Sequence, residues 1–202
     1  MKMEYRFPPD PKAHKLLDHI GDLLSHFQRS RLDMMQLLAD AANLIEKQFS
    51  LKQVCIAMRG SDGIYRYRVV VGCRPEIETA MRELGYTHEQ VVDDNVYKGH
   101  VISKYTKIYL AEDKPWSERE KSTYDLPALI GMGRKSLDHF LEGDYTNIFI
   151  LGRNDEILGW IEFNCTSSRK LLDVSSLRWI EFIGQVISAA VTSRSQSGAE
   201  SS

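Results

Sequence analysis

Two apolar arms joined by a short polar turn constrain the fold of this chain most strongly. The stretch TNIFILGRNDEILGWIEFN, residues 146–164, places β-prone runs on both sides of Gly152–Glu156. A similar arrangement occurs in QVCIAMRGSDGIYRYRVVVGC, residues 53–73, around the turn Gly60–Gly63. Such runs around a turn rich in Gly, Asn and Asp predict β-hairpins. Hairpins join antiparallel strands, so the sequence predicts an antiparallel sheet.

Helical periodicity dominates the two ends of the chain. Between Pro11 and Gln48 there is no further proline, and apolar residues recur at alternating steps of four and three, which is a heptad pattern. A second apolar stripe runs beside the first, so the helix could cover its own domain with one stripe and meet another helix with the next. We assign the predicted dimer helix to Leu16, Ile20, Leu23 and Phe27. Ser30–Asp33 resembles a capping box and predicts a break, and a final helix is predicted over 174–193.

Composition excludes several classes of protein. The 202 residues carry a formal net charge of −2, with Lys and Arg scattered among Asp and Glu, whereas a nucleic-acid-binding domain usually has a basic stripe. The three cysteines include no CxxC pair, which favours a reducing compartment over a disulfide framework. The sequence has neither an apolar leader nor an apolar run of roughly 18–20 residues. We therefore expect a soluble, cytoplasmic protein that binds neither nucleic acid nor a membrane.

The predicted elements follow the order helix, hairpin, helix, a long irregular segment with short strands, hairpin and helix. This order predicts an α+β fold in which a central antiparallel β-sheet carries the N- and C-terminal helices on one face. The irregular segment, residues 86–140, would then cover the other face with short helices and loops and form a pocket there.

Alternation along the strands assigns side chains to the two faces of the sheet. In the second hairpin, the face toward the terminal helices is predicted to hold Ile157, Gly159, Ile161 and Phe163. The face toward the irregular segment is predicted to hold Leu158, Trp160 and Glu162. In the first hairpin, one face is predicted to hold Tyr65, Tyr67, Val69 and Val71.

The carboxylate of Glu162 stands within an apolar run. If it is buried, it needs a hydrogen-bonding or cationic partner. Arginines of the first hairpin could supply that partner, and the candidates are Arg59, Arg66 and Arg68. A Glu–Arg pair of this kind could be purely structural, or it could orient a bound ligand.

These features, in this order, resemble the GAF domain, a sensory and regulatory fold related to PAS domains. The resemblance covers about residues 30–192. Its four pieces are an amphipathic helix before the first hairpin, Gly99 followed by HVISKYTKIYLAED, the second hairpin with Gly159 before its last strand, and a closing helix that ends IGQVISAAV. The resemblance implies a small-molecule pocket on one face of the sheet, a regulatory rather than catalytic role and, frequently, a dimer through the terminal helices.

The motifs of particular GAF subtypes are missing. The Asn-Lys…Phe…Asp-Glu pattern of cyclic-nucleotide-binding members has no counterpart, and the Asp-Ile-Pro motif of bilin-binding members is absent. Free methionine sulfoxide reductases of this fold need cysteines around the pocket, and Cys55, Cys73 and Cys165 do not match that placement well. The ligand or cofactor therefore stays unknown.

The candidate ligand contacts come from the irregular segment and the pocket-facing strand. His100 is the best single histidine because it follows Gly99 at a predicted strand start, with an ordinary polar role or haem ligation as alternatives. Arg134 could help hold an anion at a helix N-terminus, or it could belong to a simple turn. The other candidates could form a pocket wall or pack the segment onto the sheet: Tyr97, Trp116, Tyr124, Trp160 and Glu162.

The leading hypothesis is a stand-alone, non-catalytic GAF-like sensor or regulatory domain that binds a small molecule and signals through the terminal helices of a homodimer. A separate signalling or transcription protein would supply the output. The alternatives are an interaction and dimerisation module with a filled pocket, and an enzyme of the methionine sulfoxide reductase type. The predicted organisation is a flexible arm (1–13), a helical extension (14–29), a GAF-like domain (30–192) and a disordered tail (193–202).

Overall fold

The computed structural model describes residues 11–26, 33–134 and 139–199. The described helices are α1 (Pro11–Ser25), α2 (Met34–Gln48), α3 (Pro75–Glu83), α4 (His88–Val92), α5 (Glu118–Lys121) and α6 (Val174–Ala199). The described strands are β1 (Val54–Arg59), β2 (Tyr65–Val71), β3 (Gly85–Tyr86), β4 (Gly99–Val101), β5 (Thr106–Tyr109), β6 (Tyr145–Leu151) and β7 (Ile157–Phe163). Short 3₁₀ turns occupy Ala111–Asp113, Pro127–Leu129 and Arg153–Asp155.

The strands form one 7-stranded sheet in the order β3-β2-β1-β7-β6-β5-β4, and every neighbouring pair is antiparallel. Both predicted hairpins are present, as β1–β2 and β6–β7. The turn between β6 and β7 is tight because Asn154 and Asp155 adopt left-handed backbone φ angles of 56° and 62°, which Asn and Asp tolerate. The predicted α+β fold around a central antiparallel sheet is confirmed.

Helices α2 and α6 cover one face of the sheet. Helix α2 packs on β1 and β2, α6 packs on β6 and β7, and α1 lies on α2 and α6. Full burial of one Ile side chain contributes roughly 1.5–3 kcal/mol, so this layer is a main source of stability. The isoleucines that are fully buried in it include Ile45, Ile56, Ile148, Ile161, Ile180 and Ile183.

The stripe assigned to a dimer helix belongs to this same core. Leu16, Ile20 and Leu23 are 2%, 2% and 3% exposed and pack within their own domain. The fourth assigned residue, Phe27, lies outside the described residues. The neighbouring stripe of α1 is exposed, with Leu17 at 51% and Leu24 at 45%. The assignment is therefore corrected: α1 uses its first stripe to dock on α2 and α6, and only the second is available to a partner.

A β-bulge in the second hairpin changes part of the predicted pattern. The register of β6 against β7 shifts between Ile150 and Leu151, which leaves Leu158 as the extra residue. Leu158 packs in the helix-side core and Ile157 on the opposite side, so the prediction for these two residues is wrong. Beyond the bulge the faces are as predicted, with Ile161 and Phe163 toward the helices and Trp160 and Glu162 toward the other face.

The first hairpin contains a second bulge. The register of β1 against β2 shifts between Ile56 and Ala57, which leaves Arg68 as the extra residue on β2. Tyr67 therefore faces away from the helices, whereas Val69 faces toward them. The prediction that Tyr67 and Val69 share a face is wrong, because an extra residue reverses the alternation of side chains beyond it.

The start of each N-terminal helix is set by its first residues. Helix α1 begins at Pro11, which suits a first turn because proline has no N–H to leave unsatisfied. Residues 11–13 are thus helical rather than part of a flexible arm, and residues 1–10 lie outside the described residues. Asp33 caps α2 by accepting a hydrogen bond from the backbone N–H of Gln36 at 3.1 Å. This cap confirms the predicted break before α2.

Two further boundaries differ from the predictions. Helix α6 continues to Ala199, past the predicted start of a disordered tail at 193, because no proline interrupts it. The helix expected after Pro127 is only a 3₁₀ turn in the described part of that stretch, Pro127–Leu129. Among the helices that the structure describes, none combines the length and the hydrophobicity that a membrane crossing requires.

Candidate functional site

The face of the sheet opposite α2 and α6 carries a cavity, called here the sheet pocket. Its floor comes from β2, β6 and β7, and its roof from α3, α4 and the segment from Tyr97 to Tyr124. Its volume is about 40 Å³, whereas one water needs roughly 10–15 Å³ and a drug-sized ligand about 300–1,000 Å³. The sheet pocket therefore holds only a few atoms unless its roof moves.

Aromatic rings form most of the pocket wall. The ring of Trp160 meets those of Tyr67 and Tyr86 edge to face, with centroids 6.1 Å and 6.0 Å apart. Tyr109 and Tyr145 stack with centroids 4.6 Å apart. Burial raises the pKa of all four tyrosines, so their hydroxyls stay protonated and can donate hydrogen bonds. The wall is thus rigid, apolar on its ring faces and polar at its hydroxyls.

Glu162 lies in the floor of the sheet pocket and is 7% exposed. The hydroxyl of Tyr67, from the neighbouring hairpin, donates a hydrogen bond of 2.6 Å to its Oε2. Burial raises the pKa of Glu162, and the hydrogen bond from Tyr67 and the ammonium of Lys114 oppose that rise. The carboxylate is therefore held in a site that disfavours its charged form.

The arginines predicted to pair with this carboxylate lie elsewhere. Arg59 pairs with Glu156 at 3.0 Å and Arg66 pairs with Asp62 at 2.8 Å, both at the exposed end of the hairpins. Arg68 is the bulge residue of β2 and lines an outer groove on the helix side. The prediction of a Glu–Arg pair is wrong. Arg66 alternates with Tyr65 and Tyr67 and so lies on the other face of β2. Arg59 is the last residue of β1, where it pairs with Glu156.

Two polar atoms beside Glu162 are buried without a hydrogen-bond partner. One is Oδ1 of Asn147, which stands opposite Glu162 on β6. The other is Nε1 of Trp160, which lies close enough to the Glu162 carboxylate to lower its pKa but lacks hydrogen-bond geometry. A buried polar group without a partner costs roughly 1–3 kcal/mol. Both atoms belong to residues that line the sheet pocket.

The roof contributes a buried ion pair. Nζ of Lys114 lies 2.9 Å from Oε1 of Glu120, and the two side chains are 7% and 8% exposed. Glu120 also accepts hydrogen bonds from the hydroxyls of Tyr97 at 3.0 Å and of Ser117 at 2.7 Å. Burial lowers the pKa of Lys114 against the opposing pull of Glu120. Burial alone would raise the pKa of Glu120, but Lys114 and Ser117 together lower it.

Trp116 lies behind Lys114 rather than in the pocket wall. Its indole N–H donates a hydrogen bond of 3.0 Å to the carbonyl of Ala111, and its ring meets Tyr124 edge to face at 5.2 Å. Gly143 has a φ of +99°, and a Cβ there would lie 2.8 Å from the Trp116 ring. Glycine is therefore required at 143 for both backbone conformation and space.

A second charged cluster ties the roof together, and we call it the latch: Arg134, Glu112 and Asp144. Arg134 makes two hydrogen bonds of 2.8 Å to Glu112 and one of 2.8 Å to Asp144. Asp144 is fully buried and also accepts hydrogen bonds from the backbone N–H groups of Ala111 and Leu141. The latch joins Glu112, two residues before Lys114 of the roof, to Arg134 and to Asp144, which directly precedes β6.

The structure brings together four of the predicted ligand contacts and separates three. Those that line the sheet pocket are Tyr97, Tyr124, Trp160 and Glu162. His100 points away, with a side chain that is 45% exposed and pairs with Asp113 at 2.8 Å. Arg134 is held by the carboxylates of the latch, and Trp116 is one layer back. The expectation that these three residues line the pocket is therefore corrected.

Sequence reasoning missed several residues of the site. Lys114 and Asn147 carry no local signal, because a lysine in a charged loop and an asparagine in a strand are normally solvated. Glu120 does carry one, since Ser117-Glu-Arg-Glu120 is a capping box in which the glutamate side chain is fixed over the helix N-terminus. Tyr67 lies on a strand, as predicted, but the alternation of side chains could not assign it to the correct face because of the bulge at Arg68.

The three cysteines lie outside the sheet pocket. Cys55 and Cys165 are buried, and burial raises the pKa of their thiols and of the partly buried Cys73. A raised pKa suppresses the thiolate, which is the reactive form. Within residues 11–26, 33–134 and 139–199, no group of three or more His, Cys, Asp or Glu side chains is arranged to hold a metal ion.

Comparisons with known proteins identify the fold. No family model and no curated protein matches the sequence. Among solved structures, the GAF domain of an Acinetobacter phosphoenolpyruvate-protein phosphotransferase is similar with a TM-score of 0.55 and 9% identity, over 88% of this chain and 93% of that one. The phycoerythrobilin-bound GAF domain of a cyanobacterial phytochrome is similar with a TM-score of 0.54 and 10% identity, over 91% and 96%.

A third similar structure is a GAF domain/HD domain protein from Geobacter sulfurreducens. It matches with a TM-score of 0.57 and 9% identity, over 79% of this chain and 92% of that one. Identities this low carry no information on ligands, but the three matches agree on the fold. The chain therefore has the GAF fold, as the sequence resemblance implies.

Proposed function

We propose that this chain is a non-catalytic sensory or regulatory domain that binds a small molecule in the sheet pocket. The observation that carries the proposal is the floor of that pocket, where Glu162 is buried with a raised pKa beside two polar atoms that lack partners. A fold gains no stability from such an arrangement. Perturbed, incompletely satisfied groups beside a cavity are typical of sites that bind a ligand.

One of the similar structures bears only on the size of the ligand that we propose. That structure is a GAF domain that holds phycoerythrobilin. A bilin is far larger than the 40 Å³ of the sheet pocket. The ligand we propose for this chain is therefore small, or it enters with a movement of the roof.

The cysteines support a non-catalytic role over a methionine sulfoxide reductase. That chemistry requires a thiolate at the pocket, and the pKa of each of the three thiols is raised. None of the three lines the sheet pocket. Sulfoxide reduction by the wild-type protein would contradict this part of the proposal.

A signal from the pocket could reach helix α6 through a buried carboxylate. Glu181, on α6, accepts hydrogen bonds from the hydroxyls of Ser103 at 2.5 Å and Thr106 at 2.6 Å, at the turn between β4 and β5. Strand β5 ends in Tyr109, which lines the sheet pocket. A shift of β5 caused by a ligand would therefore pull on α6 directly.

Binding is tested by thermal denaturation against a library of small polar metabolites. A ligand at 100 times its Kd stabilises a protein by about 2.7 kcal/mol, which corresponds to roughly 5–10 °C in Tm for a domain of this size. We expect at least one compound of few atoms to produce a saturable shift of this order. A library without any such hit would favour the alternative in which the pocket is filled and the domain serves only in interactions.

The matched variant is Glu162→Gln, whose amide oxygen can still accept the hydrogen bond from Tyr67. The raised pKa means that ionised Glu162 destabilises the fold, and this penalty grows as pH rises above the unfolded value near 4.5. We expect the variant to match wild type near pH 4, to be more stable by about 0.5–2 kcal/mol at pH 8, and to lose the ligand shift. A variant less stable than wild type at pH 8 would contradict the assignment.

We also propose that the domain forms a homodimer through the exposed stripe of α1. Leu17 and Leu24 are seven residues apart on one face and about half exposed, and such a seam suits a second helix. We expect sedimentation to show a dimer that Leu17→Glu with Leu24→Glu converts to a folded monomer with wild-type Tm. A monomeric wild type would overturn this proposal.

The output would pass to a separate partner, such as a signalling or transcription protein, in the cytoplasm. The formal net charge of −2 gives no support for nucleic acid as a direct partner.

A pocket of only 40 Å³ is the observation that favours the second candidate, an interaction module whose pocket is filled. The ligand library separates the two candidates.

A further inference from the structure

The ammonium of Lys114 sits inside a cage of three aromatic rings. Its Nζ lies 4.3 Å from the ring centroid of Trp116, 4.7 Å from that of Tyr97 and 4.8 Å from that of Tyr145. The carboxylate of Glu120 closes a further side at 2.9 Å. Rings at this distance attract a cation, and cages of this kind are how proteins recognise alkylated ammonium groups. The cage is complementary to a cation, and the chain's own lysine occupies it.

The charges of the site favour a cationic ligand over an anionic one. The residues that line the sheet pocket include two carboxylates, Glu120 and Glu162, but only one cation, Lys114. Neither arginine nor histidine is among these lining residues. An anion would meet two carboxylates and one ammonium that is already paired. A cation would meet the Glu162 carboxylate, which accepts a hydrogen bond from the neutral hydroxyl of Tyr67.

The polar atoms and the size of the sheet pocket restrict the class of cationic ligand further. The partnerless Oδ1 of Asn147 accepts hydrogen bonds and therefore fits a ligand that carries an N–H group. The free volume of about 40 Å³ fits ammonium itself or a methylated amine, with more room where the Lys114 side chain withdraws.

We propose that the ligand of the sheet pocket is a small ammonium-type cation that displaces the Lys114 ammonium from its cage. Lys114 acts as a tethered internal competitor, and its release changes the ion pair with Glu120 in the roof. This inference rests on the proposed function, because it names the ligand class of the same pocket. Displacement requires no chemical step, since one cation replaces another beside the same carboxylate.

The test is to empty the cage and refill it. Lys114→Ala removes the internal cation, and we expect a lower Tm that methylammonium to butylammonium chloride restores in a saturable way, at constant ionic strength. Because the tethered lysine no longer competes at its high effective concentration, affinity should be about tenfold or more tighter than for wild type. Lys114→Met, which keeps the side-chain volume, should also bind amines and guards against a failure of Lys114→Ala to fold.

Matched controls distinguish binding of amines in the cage from a general effect of salt on stability. Lys121→Ala removes a surface lysine that pairs with Glu118 at 2.7 Å, and amines should not rescue it. Adding Trp116→Leu to Lys114→Ala removes one aromatic wall and should weaken amine binding by roughly 3- to 30-fold. Tryptophan fluorescence reports directly, because Trp116 forms part of the cage.

Three results would overturn the inference. One is the absence of amine binding beyond sodium chloride in both Lys114 variants. Another is that amines rescue the variants but do not bind wild type, even at a concentration about a hundred times higher. In that case the Lys114 ammonium would be a permanent structural part of the cage. The third is a neutral or anionic library ligand whose binding depends on Glu162. The third leaves the proposed function intact, whereas the absence of every ligand overturns both.

Discussion

Replacing Asp144 by alanine is expected to lower the free energy of unfolding by about 3–5 kcal/mol. The Asp144 carboxylate is fully buried and accepts hydrogen bonds from the backbone N–H groups of Ala111 at 2.9 Å and Leu141 at 2.8 Å. It also accepts one of 2.8 Å from Arg134. Alanine leaves two buried N–H groups without their acceptor and removes one of the two carboxylate partners of Arg134. A lost partner in a buried network is among the most costly single changes.

Urea unfolding followed by tryptophan fluorescence measures this effect, and an unchanged m-value would show that the denatured state is unaffected. Asp144→Asn keeps one oxygen as an acceptor and should lose less. The control is Asp125→Ala, at an exposed ion pair with Arg74 of 3.1 Å, which should stay within about 1 kcal/mol of wild type. Equal losses in Asp144→Ala and Asp125→Ala would mean that the latch does not hold the roof.

The parts of the fold that the sequence predicts well are those fixed by local patterns. Turn residues between β-prone runs predict the two hairpins, and the periodicity of apolar residues predicts α2 and α6. Because hairpins are antiparallel and amphipathic helices must bury one face, these elements together predict a layer of helices on an antiparallel sheet. The same reasoning separates Ile161 from Trp160, and it is correct for both.

The parts that sequence reasoning misses depend on single extra residues and on distant partners. Each β-bulge adds one residue to a strand, and neither Arg68 nor Leu158 has an unusual side chain that marks it. Arg59 and Arg66 pair with Glu156 and Asp62 near the hairpin turns, and Tyr67 reaches Glu162 instead of an arginine. Lys114 is buried because Tyr97 and Tyr145, which are distant in sequence, converge on it together with its neighbours Trp116 and Glu120. No local pattern encodes that convergence.

Two buried glutamates on opposite sides of the sheet have pKa shifts in opposite directions. For Glu181, burial would raise the pKa, but hydrogen bonds from Ser103, Thr106 and Arg178 lower it, so its stabilising contribution is lost as pH falls. For Glu162, burial raises the pKa, and stability is lost as pH rises above about 4.5. The chain satisfies the first carboxylate itself. The second lies beside a cavity, where burial raises its pKa despite the hydrogen bond from Tyr67.

Replacing Gly159 by alanine is expected to destabilise the domain by about 3 kcal/mol, because it forces the central strand pair apart. A Cβ at this position would lie 2.1 Å from the carbonyl oxygen of Ala57 on β1 and 2.9 Å from the sulfur of Met58. The carbonyl belongs to the β1–β7 ladder and cannot move without breaking its pairing.

The control for this prediction is Gly184→Ala in α6, where the new methyl group would lie 3.7 Å from Ile148 and 3.8 Å from Ile161. Those are ordinary van der Waals contacts, and alanine is favoured over glycine inside a helix by roughly 0.5–1 kcal/mol. We expect thermal denaturation to show a lower Tm for Gly159→Ala and an equal or higher Tm for Gly184→Ala. If Gly159→Ala were as stable as wild type, β1 and β7 could not be as close as the sheet requires, and the position of Glu162 beside Cys55 in that ladder would be wrong as well.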